Sequence, residues 1–227
     1  MSRVSVSRGW GLRFAALIAV GASARANGVE RYDADIPSSH VTVEGTSTLH
    51  HWMVEGKSVG GFLIVHENEL ASLWTISGPR SQPLTPTVRV EIPVASLTSG
   101  ERGMDEQMHE ALKARTHPMI TYRLESATIT TRQTDRGDDS GGGLPIDTHG
   151  VLLVAGAARA IDIPMQVKRL SHDRLQISGD TSFRMTDFGI DPPTAMLGMI
   201  RTGDMVHVHW TWVLARGRID NREEPGP

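Results

Sequence analysis

The chain has 227 residues, 39% hydrophobic and 22% charged, a balance that fits a globular protein and excludes collagen-like, coiled-coil or fully disordered chains. Lys plus Arg is 23 against 26 for Asp plus Glu, a formal charge of -3, so no strong positive field is available to hold a phosphate backbone and nucleic acid is not an expected partner. Cysteine is absent, which excludes a disulfide framework, a thiolate metal site, a cysteine nucleophile and a lipid-modified cysteine anchor; the glycine fingerprints of dinucleotide and P-loop sites are missing as well.

Residues 1–26 read as a cleaved export signal. Arg3, Arg8 and Arg13 give a positive start, Phe14–Val20 is a short apolar run, and Ala24-Arg25-Ala26 supplies small residues at both positions of an A-x-A cleavage site. The apolar run is far shorter than the ~20 residues that span a bilayer. The mature protein is therefore expected from residue 27 onward, in a periplasm or secreted.

The body reads as strands. Short candidates lie at Val41–Gly45, His51–Val59, Gly61–His66 and Leu73–Ser77, with Gly60-Gly61 as a bend between two of them. From 88 to 94 the apolar residues alternate strictly: Val88, Val90, Ile92 and Val94. Then the period changes. Met104, Met108 and Leu112 recur at spacings of four within Ser99–Arg115, which places them on one face of a helix, ended by His117-Pro118. Alternation resumes at Ile120, Tyr122 and Leu124. Arg132–His149, rich in Gly and Asp, is expected to be a flexible loop; its Asp135, Asp138 and Asp139 lack the spacing of a calcium loop.

Further strands follow at Gly150–Gly156, Ile161–Val167, Arg174–Gly179 and Thr181–Met185. In a final strand, Val206, Val208, Trp210, Trp212 and Leu214 share one face, and His207, His209 and Thr211 the other. Residues 218–227 read as a loose tail. One dry and one wet face per strand implies antiparallel sheets, and the strand density implies one all-β sandwich or barrel over 27–217.

Chemistry-bearing residues are scattered. His207 and His209 have the spacing of two metal ligands, with His50, His51, His109 or His117 as a third, but the alternation supports a wet strand face opposite Trp210 and Trp212 instead. Gly45-Thr46-Ser47-Thr48-Leu49 is not a nucleophile elbow; Asp187 and Asp191 each sit in a Gly/Pro-rich turn, where aspartate usually organises backbone hydrogen bonds, and His50 and Asp187 are the candidates for a barrel enzyme. The methionines are more suggestive. Met104 and Met108 on the helix, with Met196 and Met199 in a Gly/Pro-flanked loop, provide polarizable side chains that reshape around an apolar ligand.

Five stretches in order resemble the YceI family of exported, lipocalin-like β-barrel proteins. They are Tyr32–His40 with Val43–Trp52; Val90–Leu97 followed by Met104–Met108 and Leu112; His117–Leu124; Gly150–Gly156 with Ile161–Pro164; and Met185–Ile190 with Pro192-Pro193 and Gly203-Asp204. The resemblance implies an extended antiparallel eight-stranded barrel with an apolar channel and a non-enzymatic carrier of an isoprenoid or quinone lipid, with no further cofactor; transient membrane contact and a homodimer are separate partner expectations. Strand parity and the helix face then nominate the lining: Trp52, Phe62, Val90, Ile92, Met104, Met108, Leu112, Tyr122, Leu124, Phe183, Met185, Phe188, Trp210 and Trp212. The competing expectations are a barrel enzyme for an apolar substrate and a histidine-based metal-binding stress protein.

Overall fold

The computed structural model describes residues 28–74, 84–130, 143–195 and 199–217. The expected export signal, the three aspartates of the glycine-rich loop, Met196 and the tail lie outside them. The chain forms β1 (Val29–Ala34), β2 (His40–Ser47), β3 (His51–Gly56), β4 (Gly60–His66), α1 (Glu67–Leu73), β5 (Thr87–Pro93), β6 (Leu97–Thr98), α2 (Arg102–Ala111), β7 (Met119–Ile129), β8 (Leu144–Val154), β9 (Ala157–Ser171), β10 (Arg174–Arg184), β11 (Thr194–Ala195) and β12 (Ile200–Arg216).

All pairings are antiparallel, and their order is β1-β4-β5-β7-β8-β9-β10-β12, closed by β12 on β1. β2, β3 and β6 extend this ring lengthwise, and β11 pairs with the start of β12. β2 continues β1 along β12, β3 pairs with β2 where β4 pairs with β1, and β6 continues β5. Three staves are therefore bent strands, and with β7, β8, β9, β10 and β12 they make a closed eight-stranded barrel. Closure removes the free edges that an open sheet would expose.

Each bend has a local cause. Pro37 has no N–H to give a ladder, and residues 36–38 form a 3-10 turn. Ser39, buried behind it, repairs the gap: its hydroxyl donates to the Asp35 carbonyl at 2.8 Å and accepts the Val213 N–H at 3.0 Å. At the second bend Gly61 has φ of 115°, where a Cβ would run into the Arg89 carbonyl. The third bend is another 3-10 turn, Val94–Ser96, following Pro93. The β1 part of the closing seam is only three residue pairs long. Arg216 reinforces it, reaching the Glu30 carboxylate at 3.0 Å and the Tyr32 hydroxyl at 3.2 Å.

The structure departs from the sequence reading in three places. Leu73 ends a helix instead of opening a strand: Glu67 and Glu69 favour a helix start, and Leu70 and Leu73, three apart, share the face that plugs one barrel end. Leu144–His149 is strand, not loop, since β8 pairs along its length with both β7 and β9. The helix expected over 99–115 covers Arg102–Ala111. It ends before His117-Pro118 because Lys113 turns left-handed at φ of 55°.

Candidate functional site

The barrel encloses a cavity of about 490 Å³, within the roughly 300–1,000 Å³ of small-molecule sites. Its far end is closed by Leu70 and Leu73 of α1 and by Leu84, all buried. Its other end opens beside α2, because the solvent-exposed Glu101, Gly103 and His50 also line it. Gln107, Thr194 and Thr202 complete this mouth.

Strand alternation builds the wall. Val206, Val208, Trp210 and Trp212 of β12 face inward, as do Val90 and Ile92 of β5, Tyr122 and Leu124 of β7, Trp52 of β3, and Phe183 of β10 with Met185 just after it. Met104, Met108 and Leu112 reach in from the helix and pack against the core. All of these but Val206 and Val208 are among the fourteen nominated residues, so twelve of the fourteen line the cavity. The sequence reading left out Leu63, Val65, Ile163, Met165 and Val167, which line the cavity too. Nothing chemical separates them from ordinary core residues; only closure of the barrel does.

Phe62 and Phe188 do not line the cavity. In the run Gly61–Val65 every residue but the glycine is apolar, so alternation alone leaves the inward face undecided. Leu63 and Val65 take it, and Phe62 turns outward beneath the Arg31 guanidinium, 4.5 Å from the ring centroid. Phe188 lies beyond β10 in a 3-10 turn and joins a separate cluster with Val154, Ala155 and Ile190, edge-on to Phe183 at 5.0 Å.

Glycines make room for the aromatic rings. Gly45 is paired with Trp52, and a Cβ at Gly45 would overlap the indole. Gly179 is paired with Trp210, whose ring would meet an added Cβ at 2.6 Å; at Gly150 the clash would be with Tyr122. Each ring rests in the space a neighbouring side chain would need, so the wall absorbs it.

The lid is tied down by one carboxylate. Asp105 accepts the Ser99 hydroxyl, the Thr98 hydroxyl and the Ser99 N–H, each at 2.6 Å. Those bonds favour the charged form and hold its carboxyl below the usual aspartate range. The His109 ring bonds the Leu97 carbonyl at 2.9 Å, pinning the next turn to β6.

The interior offers little for catalysis. Among the described residues, no lysine, arginine or aspartate lines the cavity, and its acids, Glu69 and Glu101, sit at opposite ends. His50 lies at the mouth. Asp187 is exposed, does not line the cavity, and accepts the Arg184 N–H at 3.3 Å, so the two do not meet in the lumen. His207 and His209 are on the outer face, with the His207 ring bonded to the Ser182 hydroxyl at 2.7 Å. No three His, Asp or Glu side chains converge as a metal site among the described residues.

The family model for the YceI-like domain matches residues 32–214, all of the barrel but the outer ends of β1 and β12. The chain belongs to the YceI-like family. Solved structures agree on the fold of this YceI-like chain. Burkholderia cenocepacia BcnA is 16% identical with a TM-score of 0.56, covering 80% of this chain and 99% of its own. A polyisoprenoid binding domain from Saccharophagus degradans, implicated in plant cell wall breakdown, is 14% identical with a TM-score of 0.58, covering 82% and 98%. No curated protein matches the sequence.

Proposed function

We propose that this YceI-like protein is an exported carrier that holds an isoprenoid or similar long apolar lipid inside its barrel without transforming it. The observation that carries the reading is the cavity: about 490 Å³, walled by aliphatic and aromatic side chains, with a floor of leucines and a helix at the mouth. The similarity to a polyisoprenoid binding domain supports it.

The energetics suit such cargo. Each buried carbon of an apolar chain contributes ~0.8 kcal/mol. Burying roughly twenty carbons gives about 16 kcal/mol, which leaves micromolar affinity after an association cost of about 8 kcal/mol. Selection then rests on channel length and shape. Export is supported by the leader-like pattern of residues 1–26, and among the described residues no helix is long and apolar enough to cross a membrane. Transient membrane contact is supported by Leu49 and Met199, 67% and 73% exposed, whose segments are joined at the mouth by the Thr48 N–H donating to the Arg201 carbonyl at 3.0 Å.

Native mass spectrometry of protein expressed in bacteria tests the reading. The expected spectrum shows a one-to-one adduct that organic extraction releases as an isoprenoid lipid. Protein that emerges bare and takes up no added prenyl lipid contradicts it.

A further inference from the structure

We propose that Tyr122 and Thr148 form a hydroxyl-binding point at mid-depth in the lumen, so that the preferred ligand is an apolar chain bearing a hydroxyl instead of a plain hydrocarbon or its carbonyl form. The inference rests on the lipid-binding reading of the cavity and sharpens it.

Both side chains line the cavity, and both are nearly buried, at 7% and 6% exposed. Thr148 lies mid-way along β8, paired with Ala127 and Ile163. The other polar lining groups are toward the mouth, such as His50, Gln107 and Thr194, on α1, as Glu69 is, or on the β10–β12 wall: the Thr181 hydroxyl and the Trp212 indole N–H, which is buried with no partner among the described residues. A polar couple this deep in an oily wall must satisfy its own hydrogen bonds, and the donors do so. The Thr148 hydroxyl donates to the Ile163 carbonyl at 2.8 Å, and the Tyr122 hydroxyl donates to the Thr148 oxygen at 3.2 Å. Each hydroxyl carries one hydrogen, so both donors are spent.

Acceptor capacity is what remains. The Tyr122 oxygen ends the chain, and no donor among the described residues reaches it. Burial raises the Tyr122 pKa, so the phenol stays neutral and its donor stays committed. A ligand hydroxyl extends the chain by one bond: ligand to Tyr122, Tyr122 to Thr148, Thr148 to the backbone. A ligand carbonyl has no hydrogen to give, and at this point in the wall would have to take the Tyr122 donor from Thr148. A hydrocarbon leaves the oxygen unmatched.

The test uses the full-length barrel and three probes of equal carbon number: geranylgeraniol, the corresponding aldehyde and the corresponding hydrocarbon. Binding is read by quenching of the lumen tryptophans. The wild-type protein is expected to bind the alcohol about 3- to 10-fold more tightly than either other probe, the worth of one neutral hydrogen bond. Tyr122→Phe keeps the ring on Gly150 and is expected to erase that preference, so that alcohol and hydrocarbon bind with equal affinity. Thr148→Val frees the Tyr122 donor and is expected to raise aldehyde affinity to that of the alcohol. It also carries the test if Tyr122→Phe does not fold. Equal wild-type affinity for alcohol and hydrocarbon, or a preference that survives Tyr122→Phe, overturns the hydroxyl site and leaves the carrier intact. Failure of all three probes to bind overturns both.

Discussion

At the scale of single residues, the barrel depends on a few side chains that take over work the backbone cannot do. Ser39 is the clearest. Its hydroxyl occupies the break between two strands and accepts the Val213 N–H, which otherwise would be buried without a partner. Ser39→Ala is expected to destabilise the fold by about 1–3 kcal/mol, the cost of an unsatisfied buried donor, with lipid affinity unchanged. Urea unfolding alongside a binding titration checks both halves. Gly179 has the opposite signature. A side chain there would press on Trp210, a ring that lines the cavity. Gly179→Val is expected to cost about 1–3 kcal/mol through overpacking and to weaken lipid uptake by forcing the indole into the lumen. Retained affinity with native stability would show that the glycine is not what keeps the channel open.

At the scale of elements, α2 is a lid whose attachment depends on charge. The Asp105 carboxyl is depressed below its ordinary value by hydroxyl and N–H donors from the preceding turn. Its contribution is therefore present above the unfolded value, about pH 4, and is lost as pH falls through the lower folded value. Amide exchange over residues 102–112 is expected to accelerate in that acid range while the barrel strands stay protected. Asp105→Ala is expected to show the fast exchange already at neutral pH. An exchange rate indifferent to both would mean that Met104 and Met108 alone hold the helix. The same element shows how far sequence reasoning reaches. Four-residue spacing located the helix and its inward methionines, because a 3.6-residue period needs only local information. The left-handed Lys113 that ends it leaves no comparable mark. Long strands such as β12 were equally legible, since one dry face repeats at every second residue. Phe62 was not, because a run apolar at successive positions carries no parity. The bends at 36–38 and 94–96 show only as Pro37 and Pro93, and which strand resumes beyond them depends on pairings distant in sequence.

At the scale of the whole molecule, closure converts ordinary amphipathic strands into a container. No single strand encodes a cavity; the same alternation in a sandwich would give a packed core. What the sequence carries instead is the order of the strands and the three bent staves, and with these the YceI-like barrel is recognisable from residue 32 to residue 214. The container has a leucine floor at α1, a methionine-faced lid at α2 and one polar couple, Tyr122 with Thr148, part-way down its wall. A polar or charged cargo finds almost no partners inside it, whereas an apolar chain finds continuous contact. The most direct measurement is a crystal structure of the protein purified from its host's own membrane extract. Continuous tubular density running from beneath α2 toward Leu70, in contact with Met108 and Trp210, is the predicted result; side chains collapsed into the same space, with no room for a chain, would contradict the account.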